Sequence, residues 1–359
     1  MRLLPDGQRR RNGRESRGIT VSQYMDKDTG KGPLRVAVIG AGTMGCGIAA
    51  GFVAQGCDVV LLVREASRAD AARSQTLALV GQVPQRPALA EQEPQRHALV
   101  EQEPQRHALM EQEPQRHALR GHALNAFSAW DQLDLVIESI GEDIALKQQL
   151  FAWLDSRVPA GVPIGSNSSG FPISRIAAGL AGRARMFGMH YFMPAHLVPL
   201  VEVVLGSDSD PALAEHVCEM FAEAGKKPVL VKRDIAGFLA NRIQHALMRE
   251  VLSLIDSGIA SPEDIDLAVR YSFGFRYAAV GPVLQKEISG WESMARAARE
   301  IYPTLCNSAV LAPCMERKLS EGKLGMKSGA GFMTWTAQSA QAARADYEQR
   351  LAGALRLLQ

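Results

Sequence analysis

The stretch Leu34-Arg-Val-Ala-Val-Ile-Gly-Ala-Gly-Thr-Met-Gly45 decides the fold of this chain. Its first half, residues 34–39, is apolar and rich in β-branched side chains, which predicts a buried strand. Its second half is a glycine-rich turn, and residues 48–54 after it are small and apolar with helical spacing. Residues 58–63 form another apolar run. A strand, a glycine-rich turn, a helix and a strand within about 30 residues predict a βαβ unit.

The glycines of this turn have the spacing that suits a dinucleotide. Gly40 permits the tight turn, Gly42 lets a pyrophosphate approach the backbone, and Gly45 lets the helix pack closely on the strand. The N-terminus of the helix then faces the phosphates. The pattern predicts that Gly40, Gly42, Thr43, Met44 and Gly45 bind a dinucleotide cofactor.

The end of the second strand bears on the choice between NAD and NADP. An acidic side chain normally lies there and binds the adenine ribose hydroxyls, but this chain has Val63, followed by Arg64 and Glu65. Loss of the acid and gain of Arg64 favour a 2′-phosphate, and hence NADP slightly over NAD. The alternative is that Glu65 binds the ribose one position later and that Arg64 faces solvent.

The βα pattern continues beyond this unit and then becomes helical at about Asp234. Further strands are expected at residues 134–138, 162–166, 185–190, 199–204 and 227–232, and helices at 144–154, 239–257, from Ser261-Pro262 onward, and at 337–358. The expected fold is α/β, a Rossmann-type dinucleotide-binding domain followed by an all-helical C-terminal domain. The expected boundaries are 34–231 for the first domain, 232–335 for the second and 336–359 for a C-terminal helix.

Two segments differ from the rest in composition. Residues 1–33 carry eight basic and four acidic side chains, are polar and contain glycine, which predicts a disordered tail. Residues 82–119 hold three copies of Glu-Gln-Glu-Pro-Gln-Arg-His-Ala-Leu after a degenerate copy. The prolines recur every ten residues and block a continuous helix. We predict an insertion that a surface loop tolerates; a histidine array or a partner-binding arm is the alternative.

The composition of the whole chain excludes several classes of protein. The 359 residues are 47% hydrophobic with a formal net charge of +2, which is typical of a soluble protein of about two domains without a general affinity for nucleic acid. No apolar run reaches the ~18 residues of a membrane span. Five cysteines without a CxxC pair predict reduced thiols, no metal site and a cytoplasmic location. We therefore expect a small-molecule substrate rather than a nucleic acid or a membrane.

His190 and Glu202 are the candidate acid–base pair. His190 ends one predicted strand, and Glu202 lies twelve residues on, in the next. Two neighbouring strands can bring such side chains together, and a carboxylate paired to one imidazole nitrogen fixes the tautomer. The other nitrogen can then take a hydroxyl proton while hydride leaves the same carbon. The alternative is that His190 is a structural histidine at a strand end.

Several motifs occur in an order that resembles the L-3-hydroxyacyl-CoA dehydrogenase family. They are Gly40–Gly45, Asn167-Ser-Ser169, His190-Tyr-Phe-x-Pro194, Leu200-Val-Glu202, Gly237-Phe238 with Asn241-Arg242, Gly281-Pro282 and Lys327-Ser-Gly-x-Gly-Phe332. The resemblance covers about residues 34–335, interrupted by the repeat. It implies an oxidoreductase that interconverts a 3-hydroxyacyl substrate and its 3-keto form, with hydride exchanged at a nicotinamide.

The resemblance also implies roles for individual residues. It makes His190 and Glu202 the catalytic pair, gives Ser169 the substrate oxygen, and lets Asn241 of the helical domain complete the site. Ser169 and Asn241 are thereby both catalytic and substrate-binding candidates.

Further implications concern the cofactor and the assembly. Glu138 and Lys147 fall where the family places cofactor-side or substrate-side contacts. A homodimer through the helical domain is also implied by the resemblance alone.

Three departures from the family pattern leave the substrate open. Met193 stands where the family usually has Asn before the proline, and the acidic repeat occupies the arm that helps to hold CoA. Residues 275–278, Phe-Arg-Tyr-Ala, resemble the branch that contains lambda-crystallin-like L-gulonate dehydrogenases, so Arg276 could bind a substrate carboxylate; a structural salt bridge is the alternative. The sequence is therefore compatible with a CoA thioester or a free hydroxy acid such as L-gulonate as the substrate, and with a non-catalytic dinucleotide-binding role.

Overall fold

A computed structural model of the chain describes residues 32–83 and 119–358. The predicted tail up to residue 31 and residues 84–118 of the repeat lie outside the described part of the chain.

Eight strands form a single sheet in the order β3-β2-β1-β4-β5-β6-β7-β8. They are β1 (Arg35–Ile39), β2 (Asp58–Val63), β3 (Leu119–Ala123), β4 (Leu135–Glu138), β5 (Ile164–Ser166), β6 (Met186–Tyr191), β7 (Leu200–Leu205) and β8 (Lys227–Val231). The first six strands pair in parallel, in the strand order of the dinucleotide-binding fold. β7 runs antiparallel to β6, and β8 pairs in parallel with β7.

The central strands are continuous apolar runs because both faces of the sheet are covered. Val36 and Val38 of β1 belong to the core on one face, whereas Ala37 and Ile39 belong to the core on the other. Both cores are built from fully buried side chains, so the sheet region buries its own apolar surface.

β3 is the strand that the sequence analysis did not predict. Of its five residues, Leu119-Arg-Gly-His-Ala, only Leu119 is buried, because β3 lies at the edge of the sheet beside β2. An edge strand of this kind has no apolar run that would mark it in the sequence. Since Leu119 already belongs to β3, residue 119 is part of the sheet and not of the repeat insertion.

Five helices accompany the strands: α1 (Thr43–Ala54), α2 (Ala69–Val80), α3 (Ile144–Asp155), α4 (Ile173–Ile176) and α5 (Pro211–Glu223). Two of them begin with an aspartate whose carboxylate accepts backbone N–H groups of the first turn. Asp143 caps α3, and Asp210 caps α5, where Pro211 follows at the first helical position.

The remainder of the described chain is helical, as predicted. The helices are α6 (Ala240–Asp256), α7 (Pro262–Tyr271), α8 (Phe273–Ala279), α9 (Pro282–Ser289), α10 (Trp291–Ile301), α11 (Pro313–Ser320) and α12 (Ala337–Leu357). The Ser261 hydroxyl accepts the Asp264 N–H and caps α7, as the sequence indicated. Within residues 32–83 and 119–358, no helix is long and apolar enough to cross a membrane.

Candidate active site

A cleft of about 480 Å³ opens at the carboxyl ends of β1, β4, β5 and β6. This position includes the switch point between β1 and β4, where open α/β sheets bind their ligands. The residues that line it are Gly42, Thr43, Met44, Ser139, Ile140, Gly141, Glu142, Lys147, Asn167, Ser169, His190, Tyr191, Phe192, Met193 and Asn241.

The glycine-rich turn has the backbone that a dinucleotide requires. Gly40 adopts φ +107°, and a Cβ on Gly45 would lie 1.9 Å from the Gly40 carbonyl oxygen, so both positions need glycine. A Cβ on Gly42 would meet no atom within 4 Å, and Gly42 is the N-cap of α1. The open space beside Gly42 and the free N–H groups of α1 therefore fit a diphosphate.

Arg64 and Glu65 lie directly after β2, outside the lining of the cleft. The Arg64 guanidinium is exposed and forms an ion pair of 3.1 Å with the Glu65 carboxylate. Both a basic and an acidic group are thus present where the adenine ribose is bound in this fold.

His190 and Glu202 are paired by the backbone of the sheet. They are direct partners in the antiparallel register of β6 and β7, and His190 Nδ1 lies 2.7 Å from Glu202 Oε2. Both side chains are buried. Because Nδ1 is taken by Glu202, Nε2 is the imidazole nitrogen that is left for a substrate hydroxyl.

The other oxygen of Glu202 is held by the helical region. The N–H groups of Leu239 and Ala240 donate to Oε1 at 3.1 and 2.7 Å. Burial of Glu202 opposes its ionisation, but the hydrogen bonds from His190, Ala240 and Leu239 outweigh this effect and hold the pKa of Glu202 below its ordinary value. The pair is therefore an imidazole beside an ionised carboxylate.

Ser169, His190 and Asn241 all line the cleft, so the structure brings these three predicted residues together. Ser169 follows β5, whereas Asn241 lies in the first turn of α6. The Ser169 N–H donates to Glu142 Oε1 at 2.8 Å, and its hydroxyl lies 3.3 Å from the same oxygen.

Glu138 and Lys147 form a buried ion pair. Lys147 Nζ lies 2.6 Å from Glu138 Oε1, and the side chains are 1% and 0% exposed. Glu138 also accepts the Ile140 N–H and the Ser166 hydroxyl. Lys147 lines the cleft, but Glu138 lies behind it, so the structure gives Glu138 a place as the partner of Lys147 and not as a wall of the cleft.

Glu142 lines the cleft but was not among the predicted site residues. Its carboxylate accepts hydrogen bonds from Ser168, Ser169 and Gly170, and it lies 3.6 Å from Lys147 Nζ. Burial opposes its ionisation, but these donors and the Lys147 charge outweigh this and hold the pKa of Glu142 below its ordinary value. The signal in the sequence was an acidic residue in the turn after a buried strand.

Met193 and Arg276 differ in their relation to the cleft. Met193 lines it with an exposed apolar side chain, where the family usually has a hydrogen-bonding one. Arg276 is exposed on α8 and is not among the residues that line the cleft. The predicted role of Arg276 in binding a substrate carboxylate therefore stays a prediction.

Two known domains match consecutive parts of the chain. Residues 35–235 match the NAD binding domain of 3-hydroxyacyl-CoA dehydrogenase, and residues 237–335 match its C-terminal domain.

Individual relatives are similar over shorter stretches. The 5-formyl-3-hydroxy-2-methylpyridine 4-carboxylate 5-dehydrogenase of Mesorhizobium japonicum is 31% identical over 226 residues, which are 63% of this chain and 73% of that protein. The L-carnitine dehydrogenase of Streptomyces griseus is 37% identical over 187 residues, which are 51% of this chain and only 56% of that protein.

A solved structure matches most of the chain. The crystal structure of a 5-formyl-3-hydroxy-2-methylpyridine 4-carboxylic acid 5-dehydrogenase, an NAD⁺-dependent dismutase, superposes with a TM-score of 0.76 at 28% identity and covers 91% of this chain and 98% of that one. With both domains matched in order, this chain belongs to the 3-hydroxyacyl-CoA dehydrogenase family, and its α/β domain is that family's NAD-binding domain.

Proposed function

We propose that this chain is an NAD-dependent dehydrogenase that interconverts a secondary alcohol at C3 of a 3-hydroxy acid or its thioester and the corresponding ketone. The observation that carries the proposal is the buried His190–Glu202 pair, which opens on the same cleft as the glycine-rich turn. A dehydrogenase of this type needs a base and a dinucleotide site within reach of one carbon.

Each residue of the pair has a separate task. His190 Nε2 takes the hydroxyl proton as the carbonyl forms, and it returns the proton in the reverse direction. Glu202 keeps the Nδ1 proton in place and stabilises the imidazolium that results. Ser169, which follows β5, and Asn241, in the first turn of α6, hold the substrate oxygen. The cofactor, when bound, accepts or supplies the hydride.

The residues that would hold the cofactor lie in the first βαβ unit and in the segment that follows β4. The backbone at Gly42 and the N–H groups of α1 fit the phosphates, and Thr43 and Met44 border them. We propose that Lys147 and Glu142 contact the nicotinamide half, since both line the cleft and Glu142 lies beside both Lys147 and Ser169.

The choice between NAD and NADP depends on Arg64 and Glu65. The exposed Arg64 guanidinium supports binding of a 2′-phosphate, whereas Glu65 supports binding of ribose hydroxyls. Comparison of kcat/KM for the two cofactors in the wild type and in Arg64→Ala tests this. If Arg64 binds the phosphate, its removal lowers kcat/KM for NADP and leaves that for NAD unchanged.

A free hydroxy acid is the second candidate substrate. The relatives named above are dehydrogenases of a pyridine 4-carboxylate and of L-carnitine, neither of which is a CoA thioester. The acidic repeat is also a poor partner for CoA phosphates. A panel that contains matched free acids and CoA thioesters distinguishes the two classes.

We also propose that the protein is a homodimer that associates through its helical region. Large apolar side chains on several of its helices are exposed in the single chain, among them Ile243 of α6, Phe275 of α8 and Ile288 of α9. We infer that these side chains form one patch, since large apolar patches on a protein surface mark interaction sites.

The test of the proposed activity uses the purified protein, NAD and the substrate panel, with the absorbance of reduced nicotinamide as the readout. His190→Gln should lower kcat by about 10²- to 10⁴-fold, the usual contribution of a general base. His216→Gln is the matched control, since His216 is partly exposed on α5 and pairs with Glu219. Retained turnover in His190→Gln contradicts the proposal, and tight NAD binding without turnover on any substrate indicates a non-catalytic protein.

A further inference from the structure

Phe238 combines a left-handed backbone with a buried aromatic side chain. Its φ is +46°, and among the described residues it is the one non-glycine residue with a positive φ. Phe238 is also buried, with 2% of its surface exposed. A bulky residue is sterically strained in this region. Such strain persists where the surroundings fix the conformation, and it concentrates at functional sites.

The backbone of Phe238 determines where the first turn of α6 points. Gly237, with φ +73°, and Phe238 turn the chain after β8, and the Phe238 N–H donates to the Ile235 carbonyl at 2.9 Å. The next two N–H groups, of Leu239 and Ala240, are the ones that donate to Glu202 Oε1. The left-handed turn thus aims amides that a helix start leaves unpaired at the carboxylate.

The ring of Phe238 contacts the other member of the pair. Its centroid lies 5.3 Å from that of His190, and the Phe192 centroid lies 4.6 Å from His190 as well. Two aromatic rings thus pack against the imidazole, which is itself buried. Packing of this kind restricts the rotation of His190 about its side-chain bonds.

We propose that Phe238 is a positioning residue of the acid–base pair. Its backbone directs the Leu239 and Ala240 amides onto Glu202, and its ring holds the His190 imidazole in line with that carboxylate. This inference rests on the proposed role of His190 and Glu202. It implies that loss of the ring lowers kcat but leaves NAD affinity unchanged, since the glycine-rich turn is untouched.

The first test compares Phe238→Leu with Phe52→Leu. Phe52 is a buried phenylalanine of α1 that packs on Phe221 and does not line the cleft, so its substitution removes a similar ring elsewhere. We expect Phe238→Leu to lower kcat by about 10- to 100-fold, the cost of a misplaced catalytic group, with the dissociation constant of NAD within twofold of wild type (about 0.4 kcal/mol). Phe52→Leu should lower the melting temperature but retain kcat. Equal kcat values in the two variants overturn the proposal.

The second test needs no substrate and therefore separates this inference from the proposed function. The proton on His190 Nδ1 that is hydrogen-bonded to Glu202 should give a low-field proton NMR resonance, which Glu202→Gln identifies by its loss. We expect that resonance to broaden or shift in Phe238→Leu and to be retained in Phe52→Leu. An unchanged resonance in Phe238→Leu overturns the proposal even if no substrate is found. Absence of turnover in the wild type, with the resonance altered as expected, counts against the proposed function alone.

A third comparison addresses the backbone. Phe238→Gly and Phe238→Ala both remove the ring, but only glycine is free of strain at positive φ. Phe238→Gly should therefore have the higher melting temperature. Equal melting temperatures overturn the claim that the turn is strained.

Discussion

The sheet region, which ends with β8, and the helical region, from Ile235 onward, differ in the exposure of their apolar side chains. Among the described residues of the sheet region, nearly all large apolar side chains are buried or partly buried, and the exposed ones are Leu146, Met193 and Val229. From Ile235 onward, large apolar side chains are frequently exposed. Ile288 of α9, for example, is 71% exposed. α6 has 17 residues, of which Leu252 is the one that is buried.

The sheet region completes its own core on both faces, whereas the helical region presents apolar surface that a second copy is proposed to cover. If that proposal holds, the two regions obtain their stability from different sources. The proposed catalytic residues are not divided in the same way. The helical region supplies Asn241 to the cleft and two backbone amides to Glu202.

The largest effect is expected where the sheet region buries charge. Lys147→Met removes the partner of Glu138 and leaves a buried, uncompensated carboxylate. We expect the free energy of unfolding to fall by about 3–5 kcal/mol, measured by urea denaturation and independent of protein concentration. The exposed Lys232 provides the control, since Lys232→Met should change the free energy of unfolding by less than about 0.5 kcal/mol. A loss below about 1 kcal/mol for Lys147→Met would show that the pair is not essential to the sheet region.

A charge on the helical surface should act on assembly instead. Ile288→Lys places an ammonium on the proposed interface and should raise the dimer dissociation constant at least tenfold, which is about 1.4 kcal/mol. Sedimentation velocity over a range of protein concentrations measures it. The matched substitution in the sheet region, Leu146→Lys, also replaces an exposed apolar residue and should leave the dimer intact. Identical behaviour of the two variants contradicts the comparison between the regions.

Acid should weaken the contact that joins the two regions. The pKa of Glu202 is lower in the folded chain than its ordinary value near 4.5. Its ionised form therefore stabilises the fold fully above that ordinary value, and the stabilisation is lost as the pH falls through the lowered pKa. The difference in unfolding free energy between the wild type and Glu202→Gln should accordingly be constant near neutral pH and shrink below about 4.5. A difference that stays the same over this range would mean that Glu202 is not held ionised by its partners.

The smallest effect is expected from the repeat. Replacement of residues 84–118 by a short Gly-Ser linker should leave kcat and KM unchanged, because the described sheet is complete without them. Removal of residues 82–119 should instead lower the melting temperature. It deletes Leu119, the buried residue of β3, and Gln82, whose Oε1 lies 3.2 Å from His196 Nε2. Loss of turnover in the shorter deletion would assign the repeat a role in the activity.

The features that the sequence reveals are those with local causes. The βαβ unit at residues 34–63 is visible because apolar runs, glycine spacing and helix length all lie within one short stretch. The family membership and the fold class inferred from the motifs are confirmed by the two matched domains and by the sheet. The cap of α7 at Ser261 is also a local signal.

The features that escape the sequence depend on distant contacts. Glu142 receives its hydrogen bonds from residues 26–28 positions later, so its place in the turn after a buried strand is a weak signal by itself. β3 is an edge strand without an apolar run, and the left-handed backbone of Phe238 lies at the turn before α6, whose first amides bond to the distant Glu202. The burial of Glu138 behind Lys147 likewise appears only once β4 and α3 are packed together.

The antiparallel pairing of β6 and β7 has a consequence for how this enzyme can diverge. The backbone ladder sets His190 opposite Glu202, so the pairing of these two residues does not depend on the length of the loop that joins the strands. Within that loop Phe192 packs against His190, whereas Met193 lines the cleft with an exposed side chain. Met193 can therefore be exchanged to accommodate a new substrate while His190 stays aligned with Glu202. Libraries centred on Met193, with Phe192 kept, are the route by which substrate preference should be redirected with the least loss of activity.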